Sequence, residues 1–249
     1  MNYTTHKIYE FETIDSTNKW SFENHNIFNN NTFYVVTANQ QTNGVGRGVN
    51  RKWQSNYGGI YMSVVIKLQS NIELFKSMNI LSALTIRETL EYFGISNVMI
   101  KWPNDIILNN KKIGGILTEI NNYGDDQLLV IGIGLNNTNS DVIDIQRPLF
   151  PPSTINLETG IIVDKNIFIN NFIDLFKNKF QNLLSYNNFD NLMNDFDKYN
   201  ILKNKKIVFK DNEEEIIGNY HSLSPAGYLN LNVNGNIRNF LSGDIISIE

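Results

Sequence analysis

The segment NVMIKWPNDIILNNKKIGGILTEI (97–120) contains short β-type runs that are separated by turn signals. Pro103 cannot donate a hydrogen bond to a β ladder, so it ends the first run, and a second run starts near Asp105. The pair Asn109-Asn110 is typical of the tight turn of a β-hairpin. The segment therefore predicts a strand, a break and a β-hairpin.

Further β-type runs and two long helical patterns flank this segment. The first helical pattern runs from about Ile72 to Phe93 and is stopped by Gly94. The second begins near Asp164, and its phenylalanines recur at every fourth position, which gives one continuous apolar face. These phenylalanines are Phe168, Phe172, Phe176 and Phe180. The other strand runs are KIYEFE (7–12), TFYVVTA (32–38), GIYMSVVIKL (59–68) and QLLVIGIGL (127–135).

The C-terminal part of the chain has a different pattern. After a shorter helix around Phe189 to Tyr199, short strands are separated by Asp-Asn, Ser-Pro-Ala-Gly, Asn-Gly-Asn and Ser-Gly-Asp turns. This pattern is typical of a small antiparallel β-barrel. We therefore predict two domains, 1–199 and 200–249, with the boundary near Asn200.

Composition limits the chemistry that the chain can perform. The 249 residues are 41% hydrophobic, enough for a sizeable core, and the net charge of −4 argues against a general nucleic-acid binder. The absence of cysteine excludes disulfides and thiolate chemistry, and His6, His25 and His221 lie far apart in the sequence. The sequence shows no apolar signal segment or membrane span, so we expect a cytoplasmic protein that acts through Lys, Arg, Asp and Glu.

The loop QTNGVGRGVNRKW (41–53) joins three glycines to three cationic side chains. Glycines let backbone N–H groups converge on an oxyanion, and Arg47, Arg51 and Lys52 supply charge. The loop fits neither the Walker pattern nor the dinucleotide pattern, since polar residues and Trp53 follow it. Taken alone, it indicates either a phosphate or carboxylate site or an ordinary surface turn.

Four other segments carry candidate site residues. DSTN (15–18) offers hydroxyl and amide groups and can also simply cap a helix. KWPND (101–105) places opposite charges at a strand end, and Asp105 is a candidate Mg²⁺ ligand, although Trp beside Pro is often only packing. KKIGGIL (111–117) places Lys112 before two glycines that let a ligand approach the backbone, although a lysine after a turn is usually solvated. GIGLNN (132–137) ends an apolar strand with polar side chains.

Together and in this order, DSTN, QTxGxGRG, KWPND, KxxGGIL and GIGxN resemble the catalytic domain of the biotin protein ligases, from residue 7 to about residue 140. HSLSPAGYLNL and FLSGDIISIE resemble that family's small C-terminal barrel. The resemblance implies an α+β fold, with a mixed or antiparallel sheet and packed helices as in class II synthetases. It also implies ATP- and Mg²⁺-dependent attachment of biotin, through biotinyl-5′-adenylate, to a lysine of the biotin carboxyl carrier protein of acetyl-CoA carboxylase.

The resemblance also assigns roles by motif. Arg47 and Lys112 are the expected catalytic residues, because they would neutralise the reacting carboxylate and phosphates. The biotin-binding residues would be Ser16, Thr17, Asn18, Gln41, Val45, Gly46, Arg47, Lys112 and Gly115. The residues that bind ATP or the adenylate would be Arg47, Lys52, Trp53, Lys101, Lys112 and Asn136. Asp105 would support Mg²⁺.

The glycine loop departs from the family pattern, which usually reads GRGR where this chain reads GVGR. Val45 takes the place of the first arginine, and there is one extra residue between Gly48 and Trp53. An alternative register pairs Arg47 with that first arginine. In either register one positive charge is missing, so we expect weaker retention of the adenylate.

Three other functions are alternatives to that of an enzyme that only ligates biotin. Many members of the family carry an N-terminal helix-turn-helix domain and act as repressors, but here the first strand begins within ten residues of Met1, so we expect a short form that does not bind DNA. A lipoate ligase and a catalytically inactive biotin-binding module are the other two. We expect a monomer or a homodimer, in which the GIYMSVVIKL strand would pair edge to edge.

Overall fold

A seven-stranded mixed sheet forms the centre of the N-terminal part of the chain. The computed structural model describes residues 5–48, 51–69, 77–138, 149–186, 189–211 and 214–249. The strands are β1 (Thr5–Ile14), β2 (Thr32–Gln41), β3 (Ile60–Gln69), β4 (Val98–Lys101), β5 (Asp105–Leu108), β6 (Lys111–Tyr123) and β7 (Asp126–Leu135). Their order is β1-β2-β3-β7-β6-β5-β4, with β1 parallel to β2 and every other pair antiparallel. The predicted α+β fold with a mixed sheet is confirmed.

The strands β4, β5 and β6 form the structure predicted for 97–120. Lys101 pairs with Asp105 across the break between β4 and β5. Asn109 and Asn110 have φ angles of 51° and 60°, so both are left-handed, as a tight two-residue hairpin turn requires. These two turns place the KWPND segment and the start of β6 side by side.

Five helices accompany the sheet in the described residues, and they lie on both of its faces. They are α1 (Thr17–Glu23), α2 (Met78–Tyr92), α3 (Ile155–Thr159), α4 (Lys165–Tyr186) and α5 (Phe189–Tyr199). Alternate residues of β2 show the two faces, because Phe33 packs in the core with α2 and α4, whereas Tyr34 packs with the aromatic residues around α1. No helix in the described segments is long and apolar enough to span a membrane.

The helix boundaries follow the sequence signals closely. Asp164 Oδ1 accepts a hydrogen bond from the backbone N–H of Ile167 at 2.9 Å and so caps α4, and Gly94 (φ 82°) ends α2. The four phenylalanines of α4 are fully buried, and successive rings lie 5.6 to 6.1 Å apart. The predicted start of α2 at Ile72 falls within 70–76, outside the described residues.

The prediction that the GIYMSVVIKL strand forms an edge is wrong. This strand is β3, and it pairs with β2 on one side and with β7 on the other. Its residues from Ile60 to Ile66 are buried, because helices cover both faces of the sheet at this point. The edge strands of the sheet are β1 and β4. The oligomeric state of the protein stays a prediction.

A second, five-stranded antiparallel sheet occupies the C-terminal part of the chain. Its strands are β8 (Lys206–Asp211), β9 (Glu214–Leu223), β10 (Leu229–Val233), β11 (Asn236–Phe240) and β12 (Asp244–Ile248). Their order is β11-β10-β9-β8-β12. The indole of Trp102 joins the two sheets, because it packs 6.0 Å from the ring of Phe209 and its Nε1 donates to Gly227 O at 3.0 Å. The division at Asn200 stays a prediction.

Candidate active site

All of the residues predicted for the site line one cavity of about 850 Å³. The cavity lies where the start of α1, the glycine loop, the strands β5 to β7 and the start of β12 meet. Its volume is in the range of pockets that enclose a small-molecule ligand. The predicted residues in its wall are Ser16, Thr17, Asn18, Gln41, Val45, Gly46, Arg47, Lys52, Trp53, Lys101, Asp105, Lys112, Gly115 and Asn136.

The glycine loop is a tight hairpin that continues from β2. The backbone N–H of Trp53 donates to Gly44 O at 2.9 Å, and that of Gly46 donates to Arg51 O at 2.8 Å. Gly44 has no room for a side chain, since a Cβ there would lie 2.5 Å from Trp53 O. Val45 lies opposite Lys52 in an antiparallel bridge, and Arg47 follows two residues later.

A polar network lines the end of the cavity near α1. Gln41 Oε1 accepts a hydrogen bond from the backbone N–H of Thr17 at 2.8 Å. Ser63 Oγ lies 2.7 Å from Thr17 Oγ1 and donates to Asn18 Oδ1 at 2.6 Å. Asn18 Nδ2 in turn donates to Glu119 Oε2 at 2.7 Å. Because each amide is held by a fixed partner, the network presents hydrogen-bonding groups in one defined orientation.

The indole of Trp53 lies on a pair of glycines in the floor of the cavity. Gly115 of β6 is paired with Gly134 of β7, and a Cβ on Gly134 would lie 2.4 Å from Trp53 Nε1. A Cβ on Gly115 would lie 3.2 Å from Trp53 Cζ3, so the space beside Gly115, predicted for biotin, is next to the indole. Trp53 Nε1 is buried and has no hydrogen-bond partner among the described residues. Any side chain at Gly134 would displace this ring.

Asp105 is held between two lysines. Its Oδ2 lies 3.2 Å from Lys101 Nζ, and its Oδ1 lies 2.5 Å from Lys112 Nζ. Burial raises the pKa of the Asp105 carboxyl, but the two ammonium groups outweigh burial and hold that pKa below its ordinary value. Asp105 therefore stabilises the fold above the ordinary carboxyl pKa, and this contribution is lost as the pH falls through its folded pKa.

The same geometry does not fit the prediction that Asp105 is a Mg²⁺ ligand. Both of its oxygens are engaged by lysine ammonium groups, which would have to leave before a cation could bind. The described residues include no group of three or more His, Asp or Glu side chains that could hold a metal ion. Asp105 instead fixes Lys112, whose Nζ lies 5.6 Å from the centre of the Trp53 ring.

Arg47 connects the glycine loop to the C-terminal sheet. Its Nη2 donates to Gly243 O at 2.8 Å and to Asp244 Oδ1 at 3.1 Å. Arg51 Nη2 donates to the other oxygen of that carboxylate, Asp244 Oδ2, at 3.0 Å. Burial lowers the pKa of Arg47, and the charges of Asp244 and Asp105 oppose this effect.

Asn136 holds the rim of the cavity beside Lys112. Its Nδ2 donates to Ser153 O at 3.1 Å, and its backbone N–H donates to Ile113 O at 2.7 Å. The backbone N–H of Lys112 donates to Pro151 O at 2.9 Å. Residues 149–153 therefore form one wall of the cavity, and Asn136 anchors that wall.

Several residues of the site were not predicted from the sequence. Ser63 had a weak signal, because it is the one serine or threonine in the apolar run GIYMSVVIKL. Glu119 had none, since it lies on a strand whose polar residues are usually solvated. Asp244 was read only as part of a Ser-Gly-Asp turn, and Phe150 and Pro152 lay outside every motif.

The cavity suits a reaction that brings anionic groups together. Five cationic side chains line it together with the carboxylates of Asp105 and Asp244, namely those of Arg47, Arg51, Lys52, Lys101 and Lys112. The cations lie toward the glycine loop and Lys112, whereas neutral polar side chains line the end near α1, those of Ser16, Thr17, Asn18 and Gln41. One end of the cavity can therefore bind a neutral polar group while the other binds carboxylate or phosphate.

Comparison of the sequence with known proteins identifies the family to which the chain belongs. Residues 10–136 match the model of the biotin/lipoate A/B protein ligase family. The chain is 38% identical over 141 residues to the bifunctional ligase/repressor BirA of Bacillus spizizenii. The aligned region covers 55% of this chain and 42% of the relative. It is 30% identical over 138 residues to the biotin–acetyl-CoA-carboxylase ligase of Paracoccus denitrificans, covering 54% of this chain and 57% of the relative. The chain thus spans less than two thirds of the length of these relatives.

A solved structure shares the fold over almost the whole chain. Biotin protein ligase from Aquifex aeolicus, in complex with biotin and ATP, superposes with a TM-score of 0.81 at 23% sequence identity. The superposition covers 98% of each chain, so it includes both sheets. At this level of identity the likeness concerns the fold.

Proposed function

The chain belongs to the biotin/lipoate A/B protein ligase family, and we propose that it attaches biotin to a carrier-protein lysine in two steps. In the first step a carboxylate oxygen of biotin attacks the α-phosphorus of ATP, the bond to the β-phosphate breaks, and pyrophosphate leaves. In the second step the carrier lysine attacks the acyl carbon and AMP leaves. The observation that carries this proposal is one cavity with a neutral polar network at one end and Arg47 and Lys112 at the other.

Biotin binds, in this proposal, at the end of the cavity near α1. Its ureido group offers two N–H donors and one carbonyl acceptor, which match the hydroxyl and amide groups of Ser16, Thr17, Asn18 and Gln41. Ser63 and Glu119 hold these groups in place. The paired glycines Gly115 and Gly134 let the indole of Trp53 lie on the floor of the cavity, so that biotin would pack beside this ring, and the hairpin residues Val45 and Gly46 also line the cavity.

The reacting carboxylate and phosphates bind at the cationic end. Lys112 is the group that brings the two anions together, since Asp105 holds its Nζ and Trp53 lies beside it. Arg47, which belongs to the glycine loop, neutralises the negative charge of the adenylate phosphate. In this proposal the adenylate is also contacted by Lys52, Lys101 and Asn136. The ring of Trp53 stacks near the adenine base.

The other partners are proposed on narrower grounds. The name of the Paracoccus relative supports a carrier that is part of acetyl-CoA carboxylase. Both oxygens of Asp105 are paired with lysines, so a requirement for Mg²⁺ stays a prediction from the resemblance. Cytoplasmic location, absence of DNA binding and the choice between monomer and homodimer also stay predictions. A gel shift with operator-like DNA in the presence of biotin and ATP tests the repressor alternative.

Pyrophosphate exchange into ATP tests the proposed function in one assay. We expect exchange with biotin and none with lipoate or without an acid, because the ureido-binding network has no counterpart group in lipoate. Exchange that depends on lipoate would make the protein a lipoate ligase. Binding of biotin without any exchange would identify an inactive binding module, and either result would overturn the proposal.

Val45→Arg is expected to slow the release of biotinyl-adenylate. Val45 lines the cavity and is 47% exposed, so an arginine there fits without disturbing the core and restores the missing loop charge. Charge-assisted hydrogen bonds contribute about 1.5 to 3 kcal/mol, so release should slow roughly tenfold or more. The measurement is the dissociation rate of preformed adenylate. Val45→Gln is the uncharged control, and equal rates for the two variants would refute the role of the charge.

A further inference from the structure

The C-terminal sheet contributes one carboxylate to the cavity, and this carboxylate holds both arginines of the glycine loop. Asp244 is the first residue of β12. Its two oxygens each receive one guanidinium group, from Arg47 at 3.1 Å and from Arg51 at 3.0 Å. The carbonyl oxygen of Gly243 adds a second contact to Arg47 Nη2 at 2.8 Å.

The position of this carboxylate is fixed by its turn. Gly243 has a φ of 145°, and a Cβ on it would lie 2.2 Å from Phe209 Cζ and 2.7 Å from Lys210 O. Only glycine fits there, so the backbone that presents Asp244 lies directly on a core side chain. Phe209 packs against Trp102 of the KWPND segment. Asp244 is therefore held in a defined position relative to the cationic end of the cavity.

Arg47 and Arg51 differ in how far their side chains are exposed to solvent. Both line the cavity, but Arg51 is 60% exposed, as in an ordinary surface ion pair, whereas Arg47 is only 29% exposed. The contacts with Gly243 and Asp244 both use Nη2 of Arg47. Its other N–H groups donate no hydrogen bond to any residue that the structure describes, and they can therefore bind an anion in the cavity.

We propose that Asp244 is a positioning residue that acts through Arg47 to retain the acyl-adenylate. By holding one nitrogen of the guanidinium, it removes the need to order Arg47 when the ligand binds, and a preorganised cation binds an anion more tightly. This matters more in a loop where Val45 stands in place of an arginine. The inference rests on the proposed adenylate-forming function and extends it to the C-terminal sheet.

The test uses Asp244→Asn, which keeps the side-chain shape and removes its charge. We expect the dissociation of preformed biotinyl-adenylate to accelerate roughly tenfold, and the KM for ATP to rise more than kcat falls, since charge-assisted contacts are about twice as strong as neutral ones. Asp244→Glu restores the charge and should recover part of the retention. The matched control is Glu214→Gln, which removes another carboxylate–arginine pair of the same sheet, with Arg238 at 3.0 Å, far from the cavity wall.

A second background shows whether Asp244 acts through Arg47. When Arg47→Gly is already present, adding Asp244→Asn should leave the dissociation rate unchanged, because the positioned group is gone. An equal further acceleration in that background would overturn the inference, as would a wild-type rate for Asp244→Asn alone. If the wild-type protein forms no biotinyl-adenylate, the proposed function fails first. If it forms the adenylate and Asp244→Asn retains it normally, only the role of Asp244 is refuted.

Discussion

Lys112→Ala is expected to reduce biotin-dependent pyrophosphate exchange by about two to three orders of magnitude, the usual effect of removing a group that stabilises transition-state charge. The ammonium group of Lys112 is the cation that is best placed to join a carboxylate to a phosphate, because Asp105 fixes it at 2.5 Å. Asp105 keeps Lys101 as a partner at 3.2 Å, so the substitution leaves no unpaired buried charge. The fold should therefore survive the substitution.

The neighbouring lysine offers a matched control for this experiment. Lys111 precedes Lys112 on β6, and side chains alternate between the two faces of a strand, so Lys111 lies outside the cavity wall. Lys111→Ala should exchange pyrophosphate at the wild-type rate. A normally folded Lys112→Ala protein with wild-type exchange would refute the assignment of the reacting carboxylate to this end of the cavity.

Arg47→Gly is expected to leave the fold intact and to let biotinyl-adenylate escape before transfer. Arg47 is the partly buried cation of the glycine loop, and its loss removes its two hydrogen bonds to the C-terminal sheet and leaves only that of Arg51. Free adenylate acylates any exposed amine, so lysines of unrelated proteins should become labelled. We expect release to accelerate by about tenfold to a hundredfold, since a lost charge-assisted contact costs about 1.5 to 3 kcal/mol.

The measurement compares labelling of the carrier domain with labelling of an unrelated protein in the same tube. Arg47→Gln removes the charge without adding the backbone freedom of glycine, so it should label both proteins as Arg47→Gly does. Arg51→Gly adds the same freedom four residues further along the loop, at a more exposed cation, and should keep most of the selectivity. Unchanged selectivity in both Arg47 variants would contradict the role of this residue.

Local signals in the sequence predicted most of the elements correctly. The Asn109-Asn110 turn, the stop at Gly94 and the cap at Asp164 each depend on one or two residues and their immediate neighbours. Such signals do not depend on the rest of the fold, so the predicted strands and helices lie close to the observed ones. The motifs also identified residues that line one cavity, because a site is built from strand ends and loops.

Contacts between distant segments were not predictable in the same way. β3 was expected at an edge, but its position between β2 and β7 depends on the whole strand order. Asp105 was expected to support Mg²⁺, but both of its oxygens are paired with lysines, one from β4 and one from β6. Asp244 gave no signal at all, because its partner Arg47 lies at the other end of the chain.

Because Arg47 and Asp244 lie far apart in the sequence, they are synthesised at different times, and the cavity is incomplete until Asp244 has been made. The two residues are 197 positions apart, and a ribosome adds about 5 to 20 residues per second, so Asp244 is made about 10 to 40 s after Arg47. During this interval the nascent chain holds the glycine loop without its carboxylate partner. Translation therefore delivers this wall of the cavity with β12, after the other eleven strands that the structure describes have been made.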